Sequence, residues 1–207
     1  AEDLKKAVLS GATAQTSAPA EAMRTREIPG TNEYLPVVGM GSPDVFIMLT
    51  DAGKELPMSL LRAMLDAGGR VIDAPAFFRH GDPILGDLLT EMDLQKELFI
   101  TGKITVDGKS QGIAHIERIS RYLNKSPMDL LMVHNMRDLA THWPTLKQWK
   151  EEGKVRYIGV SRTRETDFGP LEKFMRAENP DFILTGYSIT QQGPAERILP
   201  LAADMGT

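Results

Sequence analysis

The feature that most constrains this 207-residue chain is an alternation of short apolar runs with stretches of helical periodicity. The runs are Val37-Val38, Val71-Ile72, Leu98 to Thr101, Leu130 to Val133, Val155 to Val160 and Phe182 to Leu184. Between them apolar residues recur every three or four positions. Leu60 to Ala67 stops at Gly68-Gly69, and Ile84, Leu85, Leu88 and Leu89 form a second stripe. Ile113, Ile116, Ile119 and Leu123 form a third, Trp143 to Glu152 stops at Gly153, and Leu171 to Ala177 follows. Glycine just past a periodic stretch is a helix stop. Strands alternating with helices imply a parallel sheet with crossover helices. The rhythm predicts an α/β fold of (β/α)8 TIM-barrel type. Only about six βα units are present, and a whole barrel needs about 250 residues, so a C-terminally incomplete, partial barrel is expected.

Two segments precede the repeats. Residues 1–22 are rich in Ala, Ser, Thr and Gln and lack aromatics, so they cannot help build a core. They read either as a disordered tail or as the remnant of an export signal. The second reading rests on Lys5-Lys6, the weakly apolar Ala7 to Ala12, and the small-residue sites Ala18-Pro19-Ala20 and Ala20-Glu21-Ala22. Next, Pro29-Gly30-Thr31-Asn32 supplies turn chemistry between two short extended runs, which predicts a hairpin leading into Leu35 to Gly39. The expected division is a tail over 1–24 and one barrel-like domain over 25–207.

Composition removes several function classes. A net charge of -4 argues against a nucleic-acid partner, and no apolar run approaches the roughly 20 residues that cross a bilayer. With no cysteine, the chain has no disulfide, thiolate metal site or cysteine nucleophile, and suits a cytoplasmic or an exported protein equally. Its four histidines, at 80, 115, 134 and 142, show no ligand spacing, so no metal is expected.

Barrels keep their reacting groups at the C-terminal ends of strands. Read that way, the candidates are Gly39 and Gly41, Asp73, Lys103, His134 and Ser161. Singly, each suits a turn or a solvated surface. Jointly, an acid, an ammonium and an imidazole arriving from successive strands form a set able to lower the pKa of a neighbouring proton donor.

Five motifs then resemble the aldo/keto reductase family, in order from about Leu35 to the C-terminus. They are Leu35-Pro36-Val37-Val38-Gly39-Met40-Gly41-Ser42, Gly69-Arg70-Val71-Ile72-Asp73 followed by Gly86, and Leu98-Phe99-Ile100-Thr101-Gly102-Lys103. The others are Asp129 to Asn135 and Trp149 to Ser161. The Val133-His134-Asn135 and Leu199-Pro200-Leu201-Ala202-Ala203-Asp204 wording is similar to the exported bacterial branch, which favours a periplasmic location. The resemblance implies an NADP(H)-dependent oxidoreductase that reduces an aldehyde or ketone to an alcohol, with a small carbonyl compound as partner. It assigns catalytic positions to Asp73, Lys103 and His134, and places the family's proton-donating tyrosine at Phe78. It assigns cofactor contacts to Gly41, Ser42, Asp73, Ser161, Arg162 and Tyr187. Besides Phe78, two positions depart from the family pattern: Arg162 replaces an asparagine, and Leu184 a glutamine. A phenyl ring at position 78 gives no proton, so weakened reduction is expected, or alternatively a catalytically degenerate binding protein on the same scaffold.

Overall fold

Six parallel strands, each paired with the next in sequence, make one sheet. The computed structural model describes residues 22–41, 53–74, 82–163 and 168–207. The first two strands stand apart: β1 (Thr25–Glu27) and β2 (Tyr34–Pro36) form an antiparallel hairpin closed at Pro29-Gly30. The barrel strands are β3 (Met40–Gly41), β4 (Val71–Asp73), β5 (Phe99–Ile104), β6 (Met128–Val133), β7 (Val155–Arg162) and β8 (Phe182–Thr185), in the order β3-β4-β5-β6-β7-β8. The helices are α1 (Glu55–Asp66), α2 (Asp82–Glu91), α3 (Lys109–Leu123), α4 (Leu139–Glu151), α5 (Gly169–Glu178), the single-turn α6 (Gly193–Glu196) and α7 (Ile198–Met205). This is a curled half-barrel with a separate N-terminal hairpin, in agreement with the partial (β/α)8 architecture expected.

The helices end where their sequences lose the right-handed conformation. Asn124 and Asn179 adopt left-handed backbone angles at the ends of α3 and α5, a conformation asparagine tolerates better than most residues. The α2 and α3 backbones meet at Gly86, where an added Cβ would lie 1.5 Å from the Tyr122 carbonyl oxygen. No side chain can be accommodated there.

Two apolar clusters follow from the pleat of the strands. Odd and even residues of a strand face opposite sides. In β5, Ile100 and Ile104 pack with Ile116 and Ile119 of α3 in the larger, outer core. Phe99 instead joins Leu130, Met132, Tyr157, Phe182 and Leu184 inside the curve of the sheet, and Ile28 and Leu35 of the hairpin close that cluster from below. Phe99, Tyr157 and Phe182 hold ring centroids 5.5 to 6.0 Å apart, a spacing that favours tilted and edge-on aromatic contacts.

A charged floor fastens the hairpin. Asp129 accepts from Lys125 at 2.7 Å, from Arg156 at 2.9 Å and from the Ile100 amide at 2.8 Å. Arg156 also pairs with Glu33, which accepts a 2.7 Å bond from the Tyr157 hydroxyl. Burial and the neighbouring Glu33 carboxylate both push the Tyr157 phenol pKa up.

The first barrel strand is displaced from its expected position. Val37 and Val38 are 49% and 59% exposed and lie outside any strand. The Val37 amide bonds to the Arg24 carbonyl and so extends the hairpin. Met40 and Gly41 do the pairing with β4.

Candidate active site

Asp73 ends β4, and its carboxylate meets two donors from the next strand. Lys103 Nζ donates to Asp73 Oδ1 at 2.5 Å and to the Ala74 carbonyl at 2.9 Å, while Thr101 Oγ1 donates to the same Oδ1 at 2.6 Å. Thr101 and Lys103 are two residues apart, so the pleat puts both on the inner face. The Lys103 side chain is only 6% exposed against 34% for Asp73. A buried ammonium needs such partners, because an unpaired charge out of water is costly. Among the described residues two of its three hydrogens find partners, which leaves the third for an incoming oxygen.

The lysine strand is also held from behind. His115 of α3 is buried, with Nδ1 3.0 Å from an Arg118 guanidinium nitrogen and Nε2 3.2 Å from the Lys103 carbonyl. Guanidinium only donates, so Nδ1 must accept, and the ring's hydrogen sits on Nε2 and bonds to the Lys103 carbonyl. Burial and then the charge of Arg118 hold the His115 pKa below the usual histidine value. Further along, His142 Nε2 donates to the Val106 carbonyl at 2.7 Å, and Arg137 donates to the Thr105 carbonyl at 2.8 Å. The Asp138 carboxylate accepts from the Gly108 amide at 2.7 Å, and that bond holds its pKa below the ordinary range.

His134 follows β6 directly. Its Nδ1 lies 3.0 Å from Ser161 Oγ on β7, and its Nε2 lies 3.1 Å from Asn135 Nδ2. The Asn135 amide nitrogen donates to Ser161 Oγ at 2.9 Å, and Asn135 Oδ1 accepts from the Thr163 amide at 3.2 Å. Asn135, Met136 and Asp138 all have positive φ, between 47° and 56°. Such a cluster in ordinary residues marks a tightly constrained loop.

The structure brings Asp73 and Lys103 into contact, and His134 and Ser161 into contact, on four consecutive strands. Gly41 pairs in register with Asp73, but an added Cβ there would meet only ordinary contacts, the nearest 3.8 Å away. Arg162 ends β7 opposite Thr185, and one of its terminal nitrogens lies 3.7 Å from Met136 Sδ. Tyr187 is 58% exposed and lines a groove along the β8 side with Ile28, Leu35 and Phe182, away from the Asp73 and Lys103 pair. Ser42 and Phe78 lie outside the described residues. Sequence reasoning missed Thr101, whose signal was its two-residue spacing from Lys103. It also missed Asn135 and His115, whose roles depend on backbone geometry. Among the described residues, no three acidic or histidine side chains gather so as to hold a metal ion.

A profile of the Aldo/keto reductase family matches residues 48–206. The chain belongs to the aldo/keto reductase family. Solved members share its fold at low sequence identity. An aldo-keto reductase of Bacillus halodurans, in its holo form, has a TM-score of 0.73 at 17% identity, covering 89% of this chain and 64% of its own. One from Brucella melitensis gives 0.69 at 18% identity, with 90% and 70% covered. A Pseudomonas aeruginosa protein described as belonging with the aldo-keto reductases gives 0.70 at 22% identity, with 88% and 75% covered. No curated protein sequence matches the chain. Membership in the aldo/keto reductases, together with the fold, supports a general oxidoreductase function.

Proposed function

We propose that the protein is an NADP(H)-dependent carbonyl reductase of weakened activity, acting on a small aldehyde or ketone. The observation that carries this reading is the 2.5 Å bond between the buried Lys103 ammonium and Asp73. It keeps a cation, with one hydrogen to spare, beside the C-terminal end of β6, where His134 begins. The Ser161 hydroxyl takes two hydrogen bonds as an acceptor if His134 carries its proton on Nδ1, which leaves its own O–H for the carboxamide oxygen of a nicotinamide. That donor fits the cofactor. When bound, a dihydronicotinamide would supply the hydride for the carbonyl carbon. The oxygen then takes its proton from the His134 imidazolium or from water, because Phe78 has none to give. Lys103 stabilises negative charge developing on that oxygen, and preorganised donors of this kind are the larger part of many enzymes' rate enhancement.

A second reading, a catalytically degenerate binding protein, is favoured by Phe78 in the sequence and by Leu184, which packs inside the curve of the sheet where the family pattern has a glutamine. Fluorescence titration with NADPH and with NADH, followed by turnover of a simple aldehyde, separates the two. Slow turnover with NADPH preferred supports the reductase, and tight binding without turnover supports the binder. Absence of binding would overturn both. The export-like motifs of the tail favour a periplasmic location in this reading, with the cytoplasm as the alternative, and N-terminal sequencing of protein recovered from the periplasmic fraction tests that.

A further inference from the structure

The contacts around His134 determine which of its nitrogens carries the proton. The Thr163 backbone amide can only donate, and it lies 3.2 Å from Asn135 Oδ1. This fixes the Asn135 carboxamide with its oxygen toward Thr163 and its nitrogen toward His134 Nε2, 3.1 Å away. A carboxamide nitrogen donates and does not accept. Nε2 must therefore offer a lone pair, and a neutral ring then carries its hydrogen on Nδ1, where Ser161 Oγ stands 3.0 Å away to receive it.

From this geometry we propose that Asn135 is a positioning residue that holds His134 as the Nδ1–H tautomer, with the Nε2 lone pair taken up by the Asn135 carboxamide N–H. This inference rests on the reductase reading for its chemical meaning, but its test does not. In that tautomer the neutral ring accepts a hydrogen bond at Nε2 and cannot give a proton there. The neutral histidine is thus no proton donor at Nε2. It could give a proton to a carbonyl oxygen only as the imidazolium, whose Nε2–H displaces the Asn135 N–H. The left-handed backbone of Asn135, at φ 50° and ψ 31°, is a conformation that asparagine and aspartate tolerate best among residues with side chains.

The protein supplies its own references. The carbonyl partners of His115 and His142 require the hydrogen on Nε2 in both rings, so His134 should be their opposite. Long-range proton–nitrogen correlation spectra of histidine-labelled protein, recorded above neutral pH, read this directly. His134→Gln assigns the signal by its loss. The expected result is a pyrrole-type Nδ1 and a pyridine-type Nε2 for His134. Asn135→Asp replaces the donor with a carboxylate that must accept, and Nε2 should move to the protonated region. An Nε2–H tautomer in the unaltered protein, which a reversed Asn135 amide would produce, overturns the proposal, as does an Nε2 signal unmoved in Asn135→Asp. NADPH-dependent turnover is measured alongside. Turnover with the wrong tautomer defeats this inference alone, and the expected tautomer without cofactor binding or turnover defeats the reductase reading alone.

Discussion

Lys103 is the more deeply buried member of its pair with Asp73, at 6% against 34% side-chain exposure. Removing either partner is therefore not equivalent. Asp73→Ala leaves an ammonium out of water with only the Ala74 carbonyl, whereas Lys103→Met leaves a carboxylate that solvent and Thr101 still reach. The first change should cost about 1.5–3 kcal/mol, the range for hydrogen bonds to charged groups. The second should cost less, and urea denaturation of the two variants reads the difference. An equal loss, or a larger one for Lys103→Met, would contradict the burial argument.

Phe78→Tyr should raise aldehyde reduction with NADPH. General acid catalysis contributes about 10²- to 10⁴-fold, so turnover should rise within that range while NADPH affinity changes little. The gain should vanish when Lys103→Met is added, because the cation that makes the phenol acidic is then gone. Flat turnover in Phe78→Tyr, with cofactor bound, would favour the degenerate binder.

The buried His115 couples stability to pH. Its folded pKa is lowered from 6.5, first by burial and then by Arg118. The unfolded chain therefore binds the proton more readily. The contribution is fully present above the unfolded value and is lost as pH falls through the window beneath it. Lys103, Thr105, Arg118 and His142 all face this ring or its bonds. Urea midpoints should fall between pH 8 and 5 more steeply in the unaltered protein than in His115→Gln. Parallel curves would show that the ring does not titrate in this way.

Glu33 ties the hairpin to the barrel through Arg156 and Tyr157. Glu33→Ala should loosen the hairpin locally before the barrel unfolds. Hydrogen exchange at the Ile28 amide, which bonds to the Glu33 carbonyl at 2.8 Å, should accelerate while that of β6 stays unchanged. Uniform acceleration across both would mean that the hairpin and barrel open as one unit.

Much of this architecture is legible from periodicity because each strand's outer face must be apolar to meet a helix. Ile100 and Ile104 illustrate the rule. The same rule led the expected β5 to stop at Thr101, since a lysine ordinarily ends an apolar run. In the structure the strand continues to Ile104, because an inward lysine can remain in the sheet once Asp73 neutralises it. Val37 and Val38 misled in the opposite sense, being β-formers used to extend a hairpin connection. The function of Asn135 had no sequence signal of its own. It depends on a left-handed backbone that turns a carboxamide back onto the preceding residue, and local propensity does not reveal that.

The spacing of the site contacts has a consequence for how the protein assembles. Thr101 and Lys103 reach Asp73 across 28 and 30 residues, and Ser161 reaches His134 across 27. Each contact closes a loop of one βα repeat, and the entropy of closure grows only slowly with loop length. By closure entropy alone the two halves of the site, β5 on β4 and β7 on β6, cost about the same to form, and the pairing of β5 with β6 joins them. Neither half requires β8 or the hairpin. In evolutionary terms the span from Val71 to Thr163 is a unit that recombination could move intact, carrying its chemistry with it while the edges of the sheet are remade around it.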